Sequence, residues 1–374
     1  MPGRRTVCTG SQMGADMGEG VGADAAGASQ GDVLGIDAAR VTAWLDATVA
    51  GASGPYRFTL LAGGHSNLTY RVDTAEGRAL VLRRPPRGAI LASAHDMARE
   101  HRILAGVGRT TVPVPRVLGL CEDETVNGAP FYVMDCVDGV VVSEADITRE
   151  ALPDPATRRA LSESVIDALA ELHLVDPDGV GLGDLGRKDA YLDRQLRRWS
   201  GQWEQSKTRE LPEMDEAHRL LVAAKPQQRY SGIVHGDFRL GNLLSDPVAG
   251  KVNAVLDWEL CTQGDVLADL GYLLNDWVGP DEATHAGATP PPSSAGGFLS
   301  RDELVARYSA RTGFEVGDIN YYRAFQAWRL ASISEGVLNR YLQGVMGNEE
   351  DTDRFRLSVE GLVAKALDLL AAAR

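Results

Sequence analysis

The chain has 374 residues, 44% of them hydrophobic and 24% charged, enough apolar material for a large core arranged in two lobes. Its formal net charge of -14 argues against nucleic acid or an anionic membrane surface as the main partner, because those surfaces select Lys and Arg. No stretch approaches eighteen uninterrupted apolar residues, so a membrane span is not expected, and the N-terminus lacks the apolar run of a secretory signal.

Residues 1–32 are rich in Gly, Ala and Ser with few large apolar side chains and read as a disordered tail. Within it, Gly18-Glu19-Gly20-Val21-Gly22 imitates a nucleotide loop but has neither a strand before it nor an apolar helix after it. A helix is expected over Ala38–Val49, then strands over Tyr56–Ala62, Leu68–Asp73 and Ala79–Arg83, forming a meander. Between the first two strands lies Gly63-Gly64-His65-Ser66-Asn67, where glycines let backbone amides approach an anion and Ser66 adds a hydroxyl. An ordinary hairpin turn is the plainer account of that segment.

Ser93 followed by Asp96 looks like a capping box, opening a helix on which Met97, Glu100, His101 and Leu104 share one face. Glu100 therefore points inward, where it can hold Arg83 at the end of the third strand. Runs over Val117–Cys121 and Phe131–Cys136, joined through Asn127-Gly128, complete a five-stranded antiparallel sheet. Beyond Val140 the pattern turns helical: Leu161, Val165, Leu169 and Leu172 form one apolar stripe, and Phe355, Val359, Leu362, Ala366 and Leu369 another. Gly279–Gly297, with Pro290-Pro291-Pro292, reads as a flexible loop over the substrate pocket or an inert insertion. Tyr322, Trp328, Arg329, Glu335 and Arg340 are expected to help form the acceptor pocket. Cys8, Cys121, Cys136 and Cys261 are too widely spaced for a C-x-x-C site and read as reduced, mostly buried thiols, as in a cytoplasmic protein.

The most informative segment is Val234-His235-Gly236-Asp237-Phe238-Arg239-Leu240-Gly241-Asn242, followed by Val255-Leu256-Asp257-Trp258-Glu259. It sets two carboxylates and a carboxamide on short loops between apolar runs. Any one of them alone is most simply a turn former or a helix cap. Together they suit phosphoryl transfer, with Asp237 as base and Asn242 and Asp257 as metal ligands. A His235–Asp237 hydrolase dyad lacks an accompanying nucleophile signature.

On these residues the sequence resembles the aminoglycoside phosphotransferase family, closest to the subgroup that includes the kinase-like module preceding acyl-CoA dehydrogenase domains in fused proteins. The resemblance covers nearly everything from Val33 onward. It implies an α+β, bilobal protein-kinase-like fold: an N-terminal nucleotide-binding lobe over residues 33–136, with a five-stranded antiparallel sheet plus helix, and a mainly helical C-terminal lobe over 137–374. It implies ATP, or GTP in its place, and Mg2+, with transfer to the hydroxyl of a small molecule by a monomer or homodimer.

The resemblance also distributes roles. His235 supports the catalytic loop, and Gly64, Ser66 and Asn67 belong to the phosphate-covering loop. Arg83 takes the place of the family's strand Lys beside Glu100, and Arg is not equivalent to Lys in its contacts. Met134, Asp135 and Val137 belong to the hinge that contacts adenine. Acceptor candidates are an aminoglycoside, which wants a carboxylate-lined pocket, and a hydroxyacyl thioester, which wants Arg or Lys. A catalytically weak nucleotide-binding module and a metal-dependent phosphohydrolase are the readings from other classes.

Overall fold

The computed structural model describes residues 33–62, 67–86, 96–284, 287–317, 319–344 and 352–372. The expectations for the tail, for Gly63, Gly64, His65 and Ser66, and for Ser93 lie outside the described residues. In chain order the structure begins with α1 (Ala38–Thr48), β1 (Arg57–Ala62), β2 (Leu68–Asp73), β3 (Ala79–Arg84) and α2 (Met97–Val107). It continues with β4 (Val117–Cys121), α3 (Glu124–Asn127), β5 (Phe131–Asp135), α4 (Ala145–Ala151), α5 (Pro155–Leu174), α6 (Tyr191–Ser206) and α7 (Pro212–Ala223). After β6 (Gly232–Val234), β7 (Leu243–Ser245), β8 (Val252–Val255) and β9 (Thr262–Gly264) come α8 (Leu267–Asn275), α9 (Arg301–Thr312), α10 (Ile319–Leu342) and α11 (Thr352–Ala372).

Two compact units result. Among the described residues the first runs to Val141 and adds Gly241–Asp246 and Val252–Glu259; the second holds Val142–Leu240, Pro247–Lys251 and the chain from Leu260.

The first unit is an antiparallel sheet in the order β1-β2-β3-β5-β4. Strand alternation sorts its side chains onto two faces. Tyr70, Val72, Leu80, Leu82 and Val133 join Val41 and Leu45 of α1 in one buried cluster. On the opposite face the register sets Val81 against Met134 and Arg83 against Tyr132. The alternation also sends Arg84 away from Arg83, to carbonyls of Gly35 and Asn127. The Asn127-Gly128 turn is the end of a single helical turn, with Gly128 in the left-handed region at φ 70°. A later hairpin, β7 with β8, completes the unit. Its register pairs Leu243 with Val255, and the Leu256 amide donates to the Asn242 carbonyl at 2.9 Å. Asn242 and Asp257 therefore emerge together at one end of the hairpin.

The second unit is helical, with α10 packed against α6, α7, α8 and α11, and α5 against α9. The short β6–β9 pair carries the chain into the catalytic-loop segment. Gly264 is required there, since a Cβ would come within 2.0 Å of the Tyr191 ring. The described ends of Gly279–Gly297 are held by hydrogen bonds. Ser293 Oγ accepts from the Val278 amide at 2.8 Å, Trp277 Nε1 donates to the Leu299 carbonyl at 2.8 Å, and the Ala145 amide donates to the Pro290 carbonyl at 3.1 Å.

Two further expectations are corrected. Tyr322, Trp328 and Glu335 do not line an acceptor pocket: they are buried along α10, donating to Asp265, donating to the Met214 carbonyl, and accepting from Thr208 and Arg209 respectively. Helical spacing records that a face is turned inward, not whether core or ligand meets it. Cys121 and Cys261 are buried thiols, but Cys136 is disulfide-bonded, an arrangement set by which sulfurs meet in space and not by sequence spacing.

Asp265 shows the cost of burying a carboxylate. Desolvation raises it from 3.8 to about 6, although the Tyr322 hydroxyl and the Leu267 amide both donate to it. The folded protein thus binds this proton more tightly than the unfolded chain, so the group's contribution to stability falls as pH rises from about 4 through about 6. Between pH 5 and 7, Asp265→Asn should remove about 1 kcal/mol of that pH dependence, read as the difference between wild-type and variant urea midpoints. Parallel pH profiles for the two proteins would refute the assignment.

Candidate active site

In the first unit, Arg83 is the hub. Its Nε lies 3.0 Å from Glu100 Oε2 and its Nη2 lies 2.8 Å from Asp257 Oδ1, with Glu259 at 4.0 Å. Glu100 is buried on α2, where Asn67 Nδ2 donates to it at 2.9 Å and the Tyr132 hydroxyl at 3.1 Å. Burial alone would discourage Arg83's charge, yet Glu100, Asp257 and Glu259 outweigh it and hold the guanidinium above its ordinary range. The same burial pushes Glu100 up, against the pull of Arg83. Tyr132 is kept protonated first by desolvation and then by the Glu100 charge.

Asp257 follows β8 with φ 64°, a left-handed conformation uncommon outside glycine. Such backbone persists where surroundings impose it, commonly at functional sites. Here the carboxylate is aimed at Arg83 beside Asn242, itself only 4% exposed. Among the described residues no group of three His, Cys, Asp or Glu side chains could hold a metal ion. One carboxylate plus one carboxamide is nevertheless a donor set suited to Mg2+, a hard cation that keeps waters and takes further oxygens from phosphates.

Met134 and Val81 are buried neighbours on the same sheet face as Arg83. Asp135 is engaged twice: its amide donates to the Arg116 carbonyl at 2.9 Å, and its carboxylate accepts from Arg78 and Arg116 at 2.8 and 2.9 Å. These two cations keep it below the usual carboxylate range despite burial. Val137 follows two residues later in the same unit.

In the second unit the His235–Asp237 segment is suspended from Asp269 at the start of α8. The His235 amide donates to its Oδ2 at 2.6 Å and the Gly236 amide to its Oδ1 at 2.9 Å. Asp265 instead accepts from the Leu267 amide at 3.2 Å, at the start of α8. Gly236, at φ 86°, passes so near Leu260 that a Cβ would sit 2.8 Å from that carbonyl. His235 is fully buried, and its Nδ1 accepts from the Asp237 amide at 3.2 Å, a supporting contact. His173 packs nearby, with Nδ1 2.7 Å from the Tyr308 hydroxyl.

Sequence reasoning missed two side chains around this loop, Tyr272 and Arg239, and gave a third, Arg329, to the acceptor pocket. The Tyr272 hydroxyl donates to Asp237, and desolvation followed by that carboxylate's charge keeps it protonated. Arg239 lies within electrostatic reach of Asp237 and 3.6 Å from Asp276, whose negative charge is the main cause holding the guanidinium above its ordinary range. Arg329 stacks on the rings of Trp199 and Tyr272 and donates to the Gly236 carbonyl at 3.1 Å. Arg329 thus holds the loop backbone at Gly236. Helical spacing from Asp269 to Tyr272 and from Gln326 to Arg329 was the available signal.

The sequence profile of the phosphotransferase enzyme family that includes the aminoglycoside phosphotransferases matches residues 57–309. Acyl-CoA dehydrogenase family member 10 of Mus musculus is 35% identical over 297 residues, covering 78% of this chain and 27% of that protein. A probable acyl-CoA dehydrogenase of Arabidopsis thaliana, IBR3, is 32% identical over 338 residues, covering 85% and 41%. The chain thus spans between about a quarter and two-fifths of these curated relatives. Among solved structures, a candidate aminoglycoside phosphotransferase of Ralstonia eutropha superimposes with a TM-score of 0.76 at 32% identity, covering 90% of this chain and 99% of that one. Choline kinase of Cryptosporidium parvum shares the fold at 11% identity and a TM-score of 0.63, covering 90% and 97%. The chain belongs to the phosphotransferase enzyme family, and its fold is the α+β protein-kinase-like one.

Removing Arg83 would leave two buried carboxylates facing one another. Arg83→Met should destabilise the protein by about 3–5 kcal/mol, measured by urea unfolding, whereas a loss below about 1 kcal/mol would reduce the contact to a surface-type ion pair.

Proposed function

We propose that the protein is an ATP- and Mg2+-dependent kinase that moves the γ-phosphoryl group to the hydroxyl of a small acceptor. The observation that carries this reading is the emergence of Asn242 and Asp257 side by side, with Asp257 held against the clamped Arg83. In this reading Arg83 contacts the phosphates, with Asn67 alongside. Val81 and Met134 flank adenine, and Val137 offers it backbone groups. Asp135, whose amide and carboxylate are both engaged, shapes the hinge instead.

Asn242 and Asp257 would hold Mg2+, which supplies neutralisation of phosphate charge when bound. Asp237 accepts the proton of the attacking hydroxyl. Tyr272 fixes the orientation of its carboxylate, and Asp269 and Arg329 fix the loop backbone from which it projects. A structural relative was crystallised with ADP and hygromycin B, in accord with a nucleotide and a small acceptor, though at 16% identity it supports only the fold directly.

For the acceptor we favour a hydroxyacyl thioester, since the relatives that cover most of this chain bear acyl-CoA dehydrogenase names. The aminoglycoside alternative rests on the Ralstonia eutropha structure. A phosphorylation screen with Mg2+ and ATP across both acceptor classes, read by acceptor mass shift, separates them. Asp237→Asn should lower turnover roughly 10²–10⁴-fold while leaving nucleotide affinity intact. A variant with wild-type turnover would remove Asp237 from the chemistry.

A further inference from the structure

Two arginines from different helices meet one indole in the second unit. The Arg198 guanidinium of α6 lies 5.1 Å from the centroid of the Trp199 ring, and that of Arg329, on α10, lies 5.3 Å from it. Trp199 itself is anchored: its Nε1 donates to Gln195 Oε1 at 2.9 Å, and its carbonyl accepts from Ser332 Oγ at 3.1 Å. A guanidinium laid on an aromatic face has its plane set while the N–H groups around its edge stay available. That is the geometry that meets a phosphate or carboxylate through paired hydrogen bonds.

Neither arginine has a carboxylate partner among the described residues. Arg329 directs Nη1 to the Gly236 carbonyl at 3.1 Å and to Gln326 Oε1 at 2.9 Å. Arg198 is exposed, and its contact among the described residues is the indole. The outer face of α6 carries the same sign. The helix buries Leu192, Leu196 and Trp203 on one side, and helical spacing places Arg194, Arg197 and Arg198 on the other. Arg194 donates to the backbone carbonyls of Arg187 and Asp189, and neither it nor Arg197 has a carboxylate partner among the described residues.

The carboxylates on and around α6 are engaged elsewhere. Lys225 takes Asp193, Lys207 takes Glu204, Arg209 takes Glu335, and the His235 and Gly236 amides take Asp269. Glu213 and Asp215 open α7, past the C-terminal end of α6. In a chain of net charge -14 a basic face without counter-ions stands out. Such cations repel one another, and an anion held among them relieves the repulsion.

The indole also stands close to the loop that carries Asp237. Arg329 runs from Trp199 to the carbonyl of Gly236, the residue before Asp237, and lies 5.9 Å from the ring centroid of Tyr272, whose hydroxyl donates to Asp237. Exposure rises along this line, from buried Arg329 through half-buried Trp199 to exposed Arg198.

We infer that Arg198 and Arg329, arrayed on Trp199, bind the phosphate groups of an anionic acceptor of the coenzyme A thioester class, with Arg194 and Arg197 adding positive charge at the outer end. Calling the ligand an acceptor rests on the kinase reading above, whereas the anion site rests on the arginines alone. The inference deepens that reading by selecting an anionic acceptor over a polycation.

The test titrates coenzyme A into the full chain by calorimetry, with saturating Mg2+ and ADP present so that the adenosine of the probe finds the nucleotide site filled. Wild type should bind coenzyme A, the more weakly as salt is raised, and Arg198→Gln should weaken it about tenfold or more without lowering the melting temperature. Trp199→Phe, which keeps a ring for the guanidinium to lie on, should retain most of the affinity while losing most of the tryptophan fluorescence change seen in wild type. Absence of binding, or equal binding by Arg198→Gln, would overturn the site, as would binding that ADP abolishes. If coenzyme A binds as expected but no hydroxyacyl-coenzyme A is phosphorylated with ATP, the assignment to the acceptor fails and the anion site stands. If transfer to a neutral alcohol is measured while coenzyme A does not bind, the kinase reading stands and this inference fails.

Discussion

The first unit is organised around one buried cation. Arg83 reaches its place because β3 alternates, because α2 turns Glu100 inward, and because the chain after β8 takes a left-handed step at Asp257. Each carboxylate would be costly alone, and the guanidinium's planar fork satisfies two of them at once. Tyr132 and Asn67 take up what remains of Glu100's hydrogen-bonding capacity. The arrangement joins a strand, a helix and a hairpin end from three distant parts of the sequence. Specificity of geometry, more than stability, is what such a network supplies.

The second unit solves a related problem with a different device. Its His235–Asp237 loop contains a glycine that no side chain can replace and backbone amides that would otherwise lack acceptors. Asp269 takes two of those amides, and Arg329, clamped between aromatic rings, donates to the Gly236 carbonyl that follows them. Asp237 is thereby presented from a braced backbone, with Tyr272 bonded to its carboxylate.

Much of this was legible in the sequence. The five strands, their order of appearance and the inward face of Glu100 follow from alternation and helical spacing, and the structure places the strand ends within a residue or so of those expectations. The H-G-D and D-W-E segments announced themselves through density of polar residues between apolar runs. What remained hidden depends on distance in space. Tyr132, two residues before Met134, lies on the face of Arg83, and no motif in the sequence marks it. Glu335 looked like a pocket residue because helix periodicity cannot distinguish an inward face that meets a ligand from one that meets core. The family to which the chain belongs leaves the acceptor open.

The claim on which the rest turns is that Asp257, held by Arg83 and neighboured by Asn242, is where metal and nucleotide meet. Isothermal titration of ATP into wild type and Asp257→Ala, each with and without Mg2+, tests it most directly. Wild type should bind ATP more tightly when Mg2+ is present, and the variant should lose that enhancement while retaining its folded circular dichroism. An undiminished Mg2+ enhancement in Asp257→Ala would contradict the account.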